Sequence, residues 1–381
     1  MHPTIRSILL LAAVAACSPD APATLDPVAT DIRSEAEYRA LATASLTPES
    51  RLCTQSAEIC RPPVRPMAAV NGAGDALVVG LGEDAMQVLR VAAGSDTPVP
   101  LGRVGSGPGE YRIPATLGFT PDGDAVIFDV MARRVVRFAP NGTANGGAVR
   151  GLPPAPLMGF GVVRGEVWML STDRPKTSGD TLPVDVVSLG NDATEAQKLH
   201  PLALRQPAYA LEALRAPPPL FAPTVSFDFF ADGGVAFAEG RALVVDLFDA
   251  EGTLARRVGF DVTPRAVTEA DAEASRTRNL RGVTDARMRE SMERFMANVS
   301  ARHPAITRLT ALSNGEVWVR ETPREAQDSV SWISFSRDGA PLRRVWTGVD
   351  DAVLAWHGDR YLMARVDGRE TVDGYWWATL R

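Results

Sequence analysis

The sequence predicts an all-β chain: a six-bladed β-propeller with a helical insert and an N-terminal lipoprotein signal and tether. Three observations predict it. A unit of two apolar, β-rich runs joined by tight turns can be laid out six times along the chain. A turn glycine marks each unit, and Gly74, Gly123, Gly165, Gly234, Gly315 and Gly358 lie 49, 42, 69, 81 and 43 residues apart. The short spacings match the ~40–50 residues of a four-stranded propeller blade.

Taken in order, the chain begins with a targeting segment. Arg6 supplies a positive charge ahead of Ile8–Ala16, an apolar run of nine residues that is too short to span a bilayer. The run ends in Val14-Ala15-Ala16-Cys17, which resembles a bacterial lipobox. The resemblance implies cleavage after Ala16 and acylation of Cys17, so that residues 1–16 form a signal peptide and the acyl chains anchor the protein. Ser18 stands where Asp favours retention in the inner membrane, which points to the outer membrane of the cell envelope.

Residues 17–61 are expected to hold the lipidated tether, a disulfide loop and a closing strand. Ser18–Thr30 is rich in Pro, Ala, Asp and Thr, a composition that suits a spacer. Ser34 can cap a short helix through Thr43. Cys53 and Cys60 follow, and in an oxidising compartment they are read as a disulfide worth about 2.5 kcal/mol of loop entropy. A metal pair is the alternative, but none of the four histidines lies near either cysteine in sequence.

The propeller is expected over 62–381. Its units pair Asn71–Gly80 with Met86–Ala92, Pro121–Asp129 with Val135–Pro140, and Val163–Ser171 with Val184–Gly190. The rest pair Ala231–Gly240 with Ala242–Val258, Ser313–Glu321 with Ser329–Trp346, and His357–Val366 with Gly374–Arg381. The last unit stops on what counts as its third strand, so its fourth must come from the segment before Pro62. Trp168 and Trp318 occupy the same place in Gly-Glu-Val-Trp and are read as blade core; Trp376 and Trp377 must point to opposite faces of their strand.

Two long spacings hold stretches that do not read as blade. Asp192–Pro223 has a short helical reading between prolines, and 268–304 reads as two helices. In the second, Thr284 can cap a helix that sets Met288, Met292, Phe295, Met296 and Val299 in one apolar stripe. That stripe packs on the propeller rim or forms a candidate partner surface.

The motif Gly105-Ser106-Gly107-Pro108-Gly109-Glu110-Tyr111, followed by Thr120-Pro121-Asp122-Gly123 and Phe138-Ala139-Pro140-Asn141-Gly142, resembles six-bladed propellers of the NHL-repeat and TolB-like group. In that group the Gly-rich segment links one blade's outer strand to the next blade's inner strand. The full motif appears once here, and the group spans binding modules, scaffolds and a few enzymes, so the resemblance implies the fold more than the function.

The chemistry readable from sequence is sparse. The formal net charge of −6, with only Lys176 and Lys198 as lysines, argues against nucleic acid as a partner. Gly102–Gly109 lacks the Lys-Ser/Thr of a phosphate loop and precedes no helix. No G-x-S-x-G occurs and the histidines are scattered, so no catalytic residue is assigned. Asp129, Asp246 and Glu321 lie near blade strands, where acidic residues could hold calcium, but sequence places none of them on the ring axis. No metal ligand or cofactor is therefore assigned, calcium being the one left open. Two readings remain. The first is a membrane-anchored, non-enzymatic propeller that binds protein, peptide or glycan; the alternative is a calcium-dependent, lactonase-like hydrolase using the central channel. The lipobox reading has a direct test: Cys17→Ala should abolish incorporation of labelled palmitate and release the protein from membranes or block its processing. Wild-type protein found unacylated by mass spectrometry in the soluble periplasm would overturn it.

Overall fold

The computed structural model describes residues 29–52, 66–79, 86–95, 97–148, 157–172, 181–190, 196–207, 219–280, 282–323, 328–366 and 372–381. Cys17, Cys53 and Cys60 lie outside them.

Six four-stranded antiparallel units follow one another. Blade 1 comprises Ala68–Val70, Ala76–Val79, Val88–Val91 and Pro98–Leu101; blade 2 comprises Pro114–Phe119, Ala125–Asp129, Arg134–Phe138 and Ala144–Ala148. Blade 3 comprises Leu157–Val163, Glu166–Thr172, Thr181–Ser188 and Gln197–Pro207, and blade 4 Ser226–Phe229, Val235–Ala238, Leu243–Phe248 and Leu254–Phe260. Blade 5 comprises Ile306–Ala311, Val317–Glu321, Ser329–Phe335 and Pro341–Gly348. Blade 6 has only three strands from this end of the chain: Asp351–His357, Arg360–Val366 and Val372–Leu380. The first strands of successive blades neighbour one another, and that of blade 6 returns to blade 1.

Both faces of each blade meet another blade, so the second strands read as unbroken apolar runs rather than alternating ones. Ala76–Val79, Ala125–Asp129 and Val235–Ala238 are buried at every position. The core is accordingly divided into six slabs, one per interface, such as Leu77, Val88, Ile127 and Phe138 between blades 1 and 2. Each fully buried Val, Leu, Ile or Phe contributes about 1.5–3 kcal/mol. Trp318 lies wholly within the slab between blades 5 and 6, and Trp168 packs edge-on against Phe229 of blade 4. In both, the Glu two residues earlier accepts the indole N–H, at 2.8 Å for Trp318 and 3.2 Å for Trp168. Trp377 is buried against blade 1, while Trp376 lies between the guanidiniums of Arg51 and Arg365.

The Gly-rich segment carries the chain from blade 1 to blade 2 through a two-stranded parallel pairing of Arg103–Val104 with Glu110–Tyr111. Its backbone forms an anion cradle that the protein fills itself. Glu110 accepts the Gly107 N–H at 2.7 Å and pairs with Arg103, and these bonds hold its carboxyl below the usual range. A Cβ on Gly105 would stand 2.1 Å from Glu110 Oε2, so a side chain there would push the Glu110 carboxyl out of the cradle. Tyr111, fully buried, donates to Leu101 O and accepts from Val88 N, tying the two blades together.

The missing strand of blade 6 is Thr43–Arg51, whose Leu46–Arg51 portion pairs antiparallel with Trp376–Leu380. The N-terminal segment does more than close the ring. Ala29–Arg33 adds a parallel fifth strand to blade 4, and Thr43–Ser45 pairs parallel with Arg344–Trp346 of blade 5. Between them Ser34 caps the helix Glu35–Arg39 in a full capping box with Glu37. Tyr38 on that helix packs edge-on to Phe260, lies under Arg344 and donates its hydroxyl to Glu321 at 2.7 Å. Residues 29–52 thus form a belt around the rims of three blades.

Some expectations are corrected. In the fourth unit the left-handed turn residue is Gly233, at φ 99°, rather than Gly234. Within Asp192–Pro223, Gln197–Pro207 is a blade strand, with Pro201 and Pro207 tolerated because it lies at the rim; the helical reading falls mostly on residues outside those described. The insert is two helices, Glu269–Leu280 and Ala286–Phe295, but Asp285 rather than Thr284 caps the second, accepting Met288 N at 2.8 Å. The stripe on that helix is not one free surface. Met296 is buried and Met292 half-buried, leaving Met288 and Val299 exposed; the side chain of Phe295 lies outside the described residues.

A chain beginning at Pro62 lacks the belt and with it the buried Leu46 and Leu52. It should be insoluble or melt on the order of 10 °C lower. A thermal melt matching the intact domain would show that the ring closes without the belt.

Candidate functional site

The six innermost strands surround a channel with two cavities. One, of about 640 Å³, opens on the side where those strands start, near Met67, Thr224, Thr307 and Asp350. The other, of about 690 Å³, opens among the hairpin turns that follow them, near Asn71, Asp122, Arg164 and Ser313. Six residues line both and mark the waist: Ala68, Thr116, Leu117, Phe160, Asp228 and Leu354. Asp228 is the one ionisable side chain among them.

Local sequence explains its position. Ser226–Phe229 alternates, so Phe227 and Phe229 turn toward blade 3 while Asp228 turns the other way. The rings fit because Gly159 and Gly161 face them: a Cβ at either would approach to 2.8 Å and 2.6 Å. Asp228 reaches blade 5 and accepts Ala311 N–H at 3.0 Å, while its other oxygen accepts Phe229 N–H at 2.9 Å. Asp228 is half-buried and lines both cavities. The surrounding walls nonetheless desolvate it and push its pKa up to about 6, against the opposing pull of the two N–H bonds and of Arg308.

Around the strand-start mouth Asp351 and Arg320 are engaged within the fold, while Asp350 is exposed. Asp351 is buried and bonded to Arg365 at 2.9 Å and to Gly348 N at 3.1 Å. Arg320 donates to Thr307 Oγ1 at 3.2 Å and to Val349 O, and burial between blades 5 and 6 lowers its pKa while Asp350 and Asp351 oppose the shift. The insert adjoins this mouth, since Thr307 and Arg308 directly follow it. It is joined to the segment before blade 4 by Leu220 N–H to Asn298 O at 2.8 Å and Ser300 N–H to Leu220 O at 3.0 Å. Buried Asp271 anchors its base, accepting from Arg265 and from the Thr268 N–H and hydroxyl, with His303 at 3.2 Å.

None of the acidic residues singled out from sequence reaches the channel. Asp129 is buried and accepts the N–H groups of Arg112, Met131 and Ala132, which fixes a turn. Asp246 pairs with Arg257 at 2.7 Å, and Glu321 receives the hydroxyls of Tyr38 and Ser331. Asp228 was missed because the sequence reading began each blade at the turn after its innermost strand. The alternation in Ser226–Phe229 was the available signal.

No family model matches the chain, and no curated protein matches it. Among solved structures it is similar to a member of the duf4221 family from Bacteroides vulgatus, at 6% identity over 89% of this chain and 98% of that one, with a TM-score of 0.51. A gluconolactonase from Xanthomonas campestris is similar at 12% identity over 90% and 98% of the two chains, TM-score 0.42. A calcium-binding regucalcin from Agrobacterium tumefaciens is similar at 11% over 89% and 95%, TM-score 0.45. At these identities the likeness concerns the fold alone.

Asp228 also makes stability pH-dependent. Its folded pKa of about 6 lies above the unfolded ~3.9, so its contribution is fully present below ~3.9 and is lost as pH rises through about 6. Asp228→Asn removes that loss. The melting temperature of the variant relative to wild type should therefore climb between about pH 4 and pH 7 and then level off. A difference independent of pH would show that the carboxyl titrates normally.

Proposed function

We propose that this protein is a lipid-anchored propeller of the bacterial cell envelope that binds a ligand in its central channel without transforming it. The observation carrying this reading is the channel itself: two cavities meeting at a waist with one carboxyl in a largely apolar collar. Such a site offers orientation and shape, as binding pockets do. The lipobox at Cys17 supports the anchor, Ser18 supports the outer membrane, and the Gly105–Tyr111 motif supports kinship with the NHL-repeat and TolB-like group. Export also supports the Cys53–Cys60 disulfide.

Calcium does not fit the channel residues. The ion takes six to eight oxygen ligands. Among the described residues no three His, Cys, Asp or Glu side chains gather to hold a metal, and Asp228 is the one carboxylate at the waist. Among the described residues, the channel therefore offers the hydrolase reading no cluster of carboxylates.

Peptide and glycan arrays test the channel. Leu354→Trp narrows the waist, so an array member retained by wild-type protein should be lost by the variant while its melting temperature stays unchanged. Retention unaffected by the substitution would place binding elsewhere. Calcium-dependent opening of a lactone by the purified protein would restore the alternative.

A further inference from the structure

We propose that the channel waist recognises an organic ammonium, whose charged nitrogen meets Asp228 and whose apolar body fills the turn-side cavity. This rests on the channel being the ligand site.

Four features of the structure converge on that chemistry. Among the described residues Asp228 is the only charged group at the waist; its neighbours there are Ala68, Leu117, Phe160, Leu354 and the hydroxyl of Thr116. A carboxylate oxygen can accept more than one hydrogen bond, and each oxygen of Asp228 receives one backbone N–H, which leaves it further acceptor capacity. Desolvation disfavours its charged form, so a cation brought alongside gains what bulk water no longer supplies. Phe160 adds an aromatic ring in the same collar, and ring faces attract ammonium groups.

The direction of approach follows from where the other charges stand. Arg308 lines only the strand-start cavity, and it is the one charged side chain of the described residues whose field acts on Asp228. It repels a second cation from that side. The turn-side cavity is walled by Phe119, Val162, Phe229 and Leu312. Its charged rim residues are Asp122 and Arg164, and Arg164 is turned to the Asp232 carbonyl at 2.8 Å. An amine with an apolar body can therefore enter from the turns, bury that body and reach the carboxylate.

Three probes with similar ring bodies test this by calorimetry on the whole protein: phenethylammonium, 2-phenylethanol and phenylacetate. At pH 7.5 the ammonium should bind at least about ten-fold more tightly than the alcohol, and phenylacetate should not bind. Lowering the pH to 5.0 should weaken the ammonium about ten-fold, because only about one carboxyl in eleven stays ionised at one unit below its pKa. Asp228→Asn should bind the ammonium at least about ten-fold more weakly than wild type at pH 7.5, with an affinity that does not change between the two pH values. The pH comparison on wild-type protein stands even if that variant does not fold. Equal affinity for ammonium and alcohol, affinity independent of pH, or wild-type affinity in Asp228→Asn would each overturn the proposal. If the alcohol or phenylacetate binds best and Leu354→Trp abolishes it, the ammonium assignment falls while the channel reading stands. No binding of phenethylammonium at millimolar concentration also overturns the assignment, and leaves the channel to the array result.

Discussion

Everything in this fold depends on one pairing: the antiparallel ladder between Leu46–Arg51 and Trp376–Leu380. A ring of blades has no stable intermediate size, because any open ring leaves two blade faces and a strand edge without partners. Here the seam is sealed from both sides. The ladder completes blade 6, and Trp377 and Tyr375 bury themselves against blade 1, with the Tyr375 hydroxyl donating to Val79 O at 2.7 Å. The partners are more than 300 residues apart, as in the pairing of Leu46 with Leu380. Closing so large a loop delays the reward for every interface already formed, which makes this a high-contact-order, slow-folding topology.

The channel is a by-product of that closure, and its chemistry follows from which side chains the innermost strands can spare. Those strands leave one backbone edge facing the axis. Side chains of the preceding blade cover part of it: Asp228 accepts Ala311 N–H, and Thr310 donates to Val353 O. Asp228 is therefore a structural cap that also faces open space, where its charge is poorly solvated. Arg320 and Asp351 lie at the same end, but their bonds run into the blade 5–6 interface rather than into the channel.

Legibility in the sequence followed burial. The second strands carry apolar runs, such as Ala125–Phe128 and Val235–Ala238, because both faces are covered, and their turns carry glycine, so blade number and order could be read directly. The innermost strands could not be read that way. Ser226–Phe229 and Ile306–Ala311 mix polar and apolar residues because one flank meets the channel, and they resemble loop until the ring is in view. The belt was half visible: counting strands required a closing segment, but nothing in Ala29–Arg33 announces a parallel pairing with blade 4. The Gly-rich motif was legible as a blade connection. That its backbone cradle is filled by Glu110, the motif's own anion, depends on how the loop folds back on itself, which residue spacing alone does not reveal.

The belt also decides how the ring meets mechanical load. Tension on the chain upstream of Ala29 does not reach the closing ladder first. It falls on Ala29–Arg33, whose parallel pairing with Arg256–Phe260 a pull along the strand would load in shear, straining its hydrogen bonds together instead of parting them one by one. The helix turn with Tyr38 wedged between Phe260 and Arg344 forms a second stop behind it. A pull on the chain ahead of Ala29 is thus spent on the rims of blades 4 and 5, and the seam that holds the circle shut is shielded from it.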